Sequence, residues 1–536
     1  MSPATAKVRE RALRLALVGT RQLSDRLSDL TRVAGRPPLL LGSAYSALDQ
    51  WLATCRRHRQ PARDVRIGVL MLRNRFWAEW ATYCCCRLYL MGYDPVLLYS
   101  GDEVRRRFRQ RPLIDPDTRG FFAKVRRQPV FAVVDLDAYV EHGEPPTEAE
   151  RAELRLAAQM SVAYDAGKEF AFDEEKIARA TERIVRLQRA AVAIARTCRL
   201  DRAALPSGII GLTAGMLRGF QQAGLPLVTV EDWGLQPRHM VYNIDRPVFA
   251  FDYAAWFRAL PALTPAQQAL VDSYVSFQDD PAGARTEAWS DYRAYQPAAA
   301  HDPLPPELEA FLDQGRPTAL LGTNVIGDSA TLGRERCFES QLAWLEATLA
   351  WFAERPDRGL VIRIHPGEAM GPCPMPLAPW VEPRVAGLPN VHVVGPTTAV
   401  NTYAIARRAR AGLLYVSNLG ADLIARGLPA IAVGKAPYDG LGIAWEPATP
   451  EAYLALLDSA LRGDLAVSPE ASERASRLIY VFTRLMTVPG NPRRNTFTYD
   501  PLDPALDDPL DELYRIIAGE QDREGHVAWD ARRLDD

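Results

Sequence analysis

Short apolar runs alternate with stretches whose apolar positions recur every three or four residues, in two separate regions of the chain. That alternation marks strands and helices layered in an α/β fold. In the first region Val65–Leu72 predicts a buried strand, Phe76–Met91 a helix stopped by Gly92, Pro95–Tyr99 a second strand and Val130–Val134 a third. A helical stretch follows from Glu148 to Cys198. In its second half Ile177, Ile184, Leu187, Ala191, Ile194 and Cys198 fall on one face. The alternation resumes with a strand at Gly208–Leu212, a glycine-interrupted helix and a strand at Leu227–Val230.

Proline-rich residues 303–317 form the best linker. Beyond them the pattern predicts strand Thr318–Gly322, a loop through Ser329, and a helix with Phe338, Leu342, Leu345, Leu349 and Phe352 on one face. Strands Gly359–Ile364, Val391–Val394, Gly412–Val416 and Pro429–Val433 follow, with helices Thr402–Ala409 and Ala421–Arg426 between them. Strands separated by helices imply right-handed crossovers and a parallel sheet, which takes ligands at the C-terminal ends of its strands. The fold class is therefore α/β, with two Rossmann-like domains facing across a cleft and a helical C-terminal tail. The boundaries are a helical extension over 1–60, a first α/β domain with a helical insertion over 61–310, a second over 315–467, and the tail over 468–536.

Composition narrows the classes. Across 536 residues, 66 acidic side chains nearly cancel 64 basic ones, for a net charge of -2; a nucleic-acid binder would show a basic excess. No run of 18 apolar residues predicts a spanning helix, and the N-terminus has no signal-peptide core. Seven cysteines, three of them adjacent (Cys84, Cys85, Cys86), make neither a disulfide framework nor a zinc motif. The expectation is a cytoplasmic protein that needs no metal and no cofactor. One local basic cluster, Arg105 to Arg111 with Lys124, Arg126 and Arg127, is either a solvated face or a peripheral contact with an anionic inner membrane surface.

Candidate chemistry gathers at the strand ends. The second region offers Thr323, Asn324, Asp328 and Ser329 after one strand, and Arg363, His365-Pro366 and Glu368 around the end of the next. Ser417-Asn418-Leu419-Gly420 joins a strand to a helix. Free helix N–H groups, a hydroxyl and a glycine there suit phosphate oxygens, or simply cap the helix. Pro366 fixes the turn after His365, whose imidazolium would neutralise a departing phosphate; the alternative is a histidine satisfied inside the fold. In the first region Glu231 and Asp232 follow a strand and include a candidate general base for a hydroxyl nucleophile, with an acidic turn as the bland alternative. His239 is a further, weaker candidate.

These residues, with Phe338, Ser340-Gln341, Val400-Asn401-Thr402-Tyr403, Gly427-Leu428-Pro429 and Pro437-Tyr438-Asp439-Gly440, make some 150 residues of the second region resemble capsule and surface-polysaccharide glycosyltransferases of the GT-B fold. The resemblance implies a nucleotide-sugar donor on the second domain and a glycan or lipid-linked glycan acceptor on the first, without a metal. Bacterial sialyl- and Kdo transferases of this fold carry a His-Pro motif that contacts the donor phosphate, matched by His365-Pro366. Their acidic-acidic-Gly base motif is matched by Glu231-Asp232, with Trp233 intervening before Gly234. By the same resemblance Asn401, Thr402 and Tyr403 lie near the nucleotide. Two fold-sharing enzymes stay open, a nucleotide-sugar 2-epimerase and a CDP-glycerol-type polymer transferase, as does a non-catalytic scaffold that binds glycan or a biosynthetic partner.

Overall fold

The structure is a computed structural model. It describes residues 44–72, 75–101, 125–127, 130–140, 146–166, 173–232, 238–251, 253–279, 304–328, 331–369, 373, 375–492, 502–505 and 511–520. Arg105 to Arg111 and Lys124 lie outside the described residues.

The first half is built on β1 (Arg66–Leu70), helix α1 (Arg75–Leu90), β2 (Asp94–Tyr99), β3 (Ala132–Asp135), helices α2 (Glu148–Ala166) and α3 (Glu174–Thr197), β4 (Arg202–Pro206), helix α4 (Gly211–Gln222), β5 (Leu227–Asp232), β6 (His239–Ile244) and helix α5 (Pro265–Asp279). The second half contains β7 (Thr318–Gly322), helix α6 (Gln341–Ala353), β8 (Gly359–Arg363), β9 (Val391–Val394), helix α7 (Thr402–Ala406), β10 (Ala411–Leu414), helix α8 (Leu419–Ala425) and β11 (Ala430–Ala432). The chain ends with α9 (Pro469–Tyr480), β12 (Thr487–Pro489) and α10 (Asp511–Ala518).

Two sheets result, ordered β12-β6-β5-β4-β1-β2-β3 and β11-β10-β7-β8-β9. The second is parallel throughout. Its central strands β7, β8 and β10 are buried at every position, as expected of strands covered on both faces. Alternate residues serve different cores. Leu321, Ile362 and Leu413 pack with Trp344 and Phe352 of α6. Leu320, Val361 and Leu414 join a cluster that also holds Val248, Trp256, Tyr274 and Phe277 of the first half, so one face of this sheet is turned toward the other half. Both halves are Rossmann-like α/β layers.

Three elements differ from the sequence pattern. The strand expected at Gly208–Leu212 is β4, six residues earlier at both ends. Gly208 and Gly211 adopt φ of 76° and 52° and turn the chain into α4 instead. Arg202–Pro206 carries no β-branched residue; pairing on both sides with β1 and β5 makes it a strand. The first sheet is also mixed, because β6 runs antiparallel to β5. Finally, the tail is helical in α9 and α10, but between them β12 pairs antiparallel with β6, returning the chain to the first half.

That return is fastened by a buried ion pair. Arg87 of α1 binds both oxygens of Asp511 and the carbonyls of Asp503 and Ala505, with both charged side chains 1% exposed. A buried pair gives little net stability, but removing one partner strands the other's charge. Asp511→Ala should therefore lower unfolding stability in urea by about 3–5 kcal/mol. Loss of the half-exposed Arg66–Asp94 pair should change it by about 1 kcal/mol or less. Equal effects of the two changes would contradict this reading.

Candidate functional site

The C-terminal ends of the second sheet's strands share one edge, with β7 in the middle. Thr323 and Asn324, the first residues past β7, tie that edge together. Thr323 donates its N–H to the Arg363 carbonyl (3.2 Å) and its hydroxyl oxygen accepts the His365 N–H (3.0 Å). On the other side, the Asn324 side chain donates to the Val416 carbonyl (2.6 Å) and accepts the Val416 N–H (3.2 Å). Gln341 holds the Asn324 backbone through both of its amide groups, at 2.7 and 3.0 Å. Both residues, expected among the donor contacts, thus have their polar groups engaged in positioning.

His365 and Ser417 consequently stand at the same edge, on strands that are not neighbours: β7 lies between β8 and β10, so their strands are two spacings, about 10 Å, apart.

His365 is exposed, directly after buried Ile364. Its Nδ1 accepts the Gly367 N–H at 3.0 Å, so the neutral ring carries its proton on Nε2. Gly367 is required by this close approach: a Cβ there would stand 2.8 Å from Nδ1. Desolvation lowers the imidazole pKa below 6.5, opposed by Asp328, while the Arg363 charge lowers it further. Desolvation thus favours the neutral ring, with Nε2–H as its donor, over the imidazolium expected from the sequence.

Arg363 ends β8 with its side chain buried, and Nη1 donates to the Gly395 carbonyl (2.5 Å). Glu368 is buried in the turn after His365; its Oε2 accepts the Leu377 N–H (3.1 Å), and burial raises its pKa. Asp328 is exposed, and Ser329 lies outside the described residues.

The Ser417 turn is more self-contained than its sequence suggests. Ser417 Oγ accepts the Leu419 N–H (3.2 Å), the Ser417 carbonyl accepts from Gly420 (3.4 Å), and the Asn418 carbonyl accepts from Ala421 and Asp422 (3.0 and 3.4 Å). The N–H groups of Leu419, Gly420, Ala421 and Asp422 are thus bonded within the turn. Asn418 makes no side-chain cap. Gly420 leaves room for the buried Tyr438 phenol, which a Cβ would overlap and which donates to the Ser417 carbonyl at 2.9 Å.

Asn401, Thr402 and Tyr403 are buried at the contact between halves. Asn401 Nδ2 donates to the Gln278 carbonyl (2.8 Å), and its Oδ1 accepts the Tyr403 N–H (2.8 Å). Tyr403 Oη donates to Asp422 (2.8 Å) and receives the Gln278 amide (2.7 Å). These side chains join α5 to α7 and α8.

In the first half, neighbours on β5 have separate environments. Asp232 is exposed and accepts from Asn491 Nδ2 (2.9 Å), beyond β12. Glu231 is half-buried; burial pushes its carboxyl up to about 8, with the nearby Asp232 and Asp328 charges adding to the rise. His239 opens β6 at the same edge, next to Met240, which pairs with Asp232.

The two halves therefore meet electrostatically at Asp328, whose charge acts on both Glu231 and His365. Each of those two side chains reaches solvent, yet each titrates as a group largely withdrawn from it. A carboxyl of the first half and an imidazole of the second thus lie near one shared charge, that of Asp328. Sequence reading identified both groups but not Asp328 as their common neighbour, nor Gly367 as the donor that orients the ring. The Gly after His-Pro was the available signal. Among the described residues, no group of three or more His, Cys, Asp or Glu side chains is arranged to hold a metal ion.

No protein-family model and no curated protein matches the chain. Solved structures similar to it include the KpsC β-Kdo 2,4 transferase of Thermosulfurimonas dismutans, with 17% identity over 55% of this chain and 82% of that one and a TM-score of 0.34. Another is the UDP-GlcNAc 2-epimerase of Neisseria meningitidis, with 9% identity over 78% and 98% and a TM-score of 0.28. A third is the glycosyltransferase SnogD of Streptomyces nogalater, with 13% identity over 79% and 96% and a TM-score of 0.23. Likeness at this level leaves the reading of the site to the chain's own residues.

Two outcomes follow from the geometry. Glu231 binds its proton more tightly folded (about 8) than unfolded (4.5), so its contribution to stability is complete below 4.5 and is lost as pH rises through about 8. Urea titrations should show the wild type losing more stability across that window than Glu231→Gln; parallel curves would refute the assignment. Gly367→Ala should displace the imidazole, seen by ¹⁵N NMR as loss of the Nε2–H tautomer bias at His365, at a stability cost of about 1–3 kcal/mol. An unchanged tautomer would show that Gly367 does not orient the ring.

Proposed function

We propose that this chain is a glycosyltransferase that moves a sugar from a nucleotide-sugar donor onto a growing surface glycan or lipid-linked glycan. What supports it is that Glu231 and His365, from opposite halves, both stand near Asp328, each with the chemistry one end of such a transfer needs. Glu231, once ionised, takes the proton of the acceptor hydroxyl. The acceptor oxygen bonds to the anomeric carbon as the bond from that carbon to the phosphate oxygen breaks. His365 donates Nε2–H to the phosphate oxygen on which negative charge grows, the type of contact that outweighs other catalytic contributions. Asp232 is exposed and bound to Asn491, so Glu231 is the better base. Ser417 retains its hydroxyl proton for a more distant part of the donor, since its oxygen is used as an acceptor. The site requires no metal or cofactor in this reading.

A raised Glu231 pKa also favours a second reading, in which the protonated carboxyl acts as an acid on the donor alone, as a nucleotide-sugar 2-epimerase would need. Incubation with CMP-, UDP-, GDP- and CDP-linked sugars, with and without glycan acceptor, separates the two: a transferase releases nucleotide in an acceptor-dependent manner. A scaffold would bind none of the donors.

In the transferase, kcat/KM should climb with pH and level off above about 8, because the base must lose its proton. Glu231→Gln should abolish that limb and lower kcat by about 10²–10⁴-fold. His365→Ala should lower kcat by about 10²–10³-fold with a smaller change in KM. A flat pH profile, or His365→Ala turning over at the wild-type rate, would remove the roles assigned.

A further inference from the structure

Among the described residues two arginines are deeply buried, Arg87 and Arg363, and Arg426 is half-buried, with contrasting provision. Arg87 has Asp511 and two carbonyls. Arg426, lying over the Tyr403 ring at 4.0 Å, has Asp279, Gln278 and two carbonyls. Arg363, 3% exposed, has one carbonyl, that of Gly395, which already accepts the Thr398 N–H at 3.2 Å. Its Nε is buried with no partner, and among the described residues no carboxylate lies within ion-pairing distance. Among the described residues Nη2 likewise has no partner.

An isolated buried charge costs several kcal/mol, and such a charge is normally paired. Arg363 lies at the ligand-binding edge of a parallel sheet, on the same face as Val361, which looks toward the first half. Two residues on, the imidazole is neutral and has only Nε2–H to offer, since Gly367 occupies Nδ1. At the Ser417 seat the N–H groups of Leu419 to Asp422 are already bonded within the turn. A polyanion bound at this edge thus finds one fixed positive charge with unused donors.

We infer that Arg363, not His365, supplies the fixed positive charge for a phosphate or pyrophosphate group bound at the end of β8, with Nη2 facing the anion and His365 adding one neutral hydrogen bond. In the donor reading, on which only the identity of the anion rests, this group is the nucleotide's phosphate. The Arg363 charge then binds the phosphate and adds to the desolvation that disfavours a second proton on His365, so that the ring offers a proton on Nε2.

Full-length wild type, Arg363→Met, Arg363→Lys and His365→Asn should be compared by thermal unfolding and calorimetry. The probes are inorganic pyrophosphate, nucleoside diphosphates and the matching nucleosides. Wild type should bind pyrophosphate and the diphosphates but be indifferent to nucleosides. Arg363→Met should unfold no earlier than wild type without ligand, because an unpaired buried charge has been removed, and should lose pyrophosphate affinity by about tenfold or more. Arg363→Lys should recover part of that loss, and His365→Asn should lose about threefold or less. ¹⁵N NMR of wild type should show His365 still neutral when pyrophosphate is bound, a measurement independent of how the variants fold.

Undiminished binding by Arg363→Met, or conversion of His365 to imidazolium on binding, would overturn the inference while leaving a nucleotide-sugar function intact. Arg363-dependent pyrophosphate binding with no response to any nucleotide would do the reverse. Wild type indifferent to pyrophosphate and nucleotides alike would end both.

Discussion

The site depends on how the chain is tied just past β7. Thr323 binds the backbone of the strand end carrying His365, and Asn324 binds that of Val416 before Ser417. These bonds continue the ladder of the sheet one or two residues beyond its last regular pair, into the region where ligand-facing loops begin. Buried backbone groups must be paired, so the ties fix the loops as firmly as the strands fix each other. The directions of His365 and Ser417 are consequences of that constraint. The Gly367 N–H completes it by selecting one face and one tautomer of the imidazole.

The second half does not stand alone. One face of its sheet is completed by Trp256, Tyr274 and Phe277 of the first half, and the latch from Gln278 through Tyr403 to Asp422 is buried beside that cluster. The chain then crosses back through α9 to place β12 against β6, and the buried Arg87–Asp511 pair holds the end in place. Glu231 belongs to the strand next to β6, so the tail supports the carboxyl-bearing edge while the latch supports the other side. Asp328 links the two electrostatically, as the residue whose charge reaches both catalytic candidates.

Most of the second half was legible because buried parallel strands are short, uninterrupted apolar runs. β7, β8 and β9 fall within a residue of the boundaries read from the pattern. β4 was not legible, since Arg-Ala-Ala-Leu-Pro has no strand propensity and acquires its state from the strands on either side. β12 was hidden for a related reason: three residues after a helix carry no periodicity, and only the free edge of β6 makes them a strand. At the site, residue types showed where chemistry gathers but not which groups were already engaged. Asn401 and Tyr403 look like ligand contacts in the sequence and are bound to α5 in the fold. Gly420 makes room for a phenol. Arg363 was one strand-end candidate among several, and its significance is the absence of a carboxylate partner among the described residues, which no linear pattern displays.

The proposed transfer requires a carboxyl and an imidazole from different halves to face one bound phosphate-linked sugar. A crystal structure with a nucleoside diphosphate should show a phosphate oxygen within hydrogen-bonding distance of His365 Nε2, at the end of β8, with Glu231 facing it from the first half. A nucleotide seated away from that edge, or a phosphate with His365 turned into the protein, would contradict it.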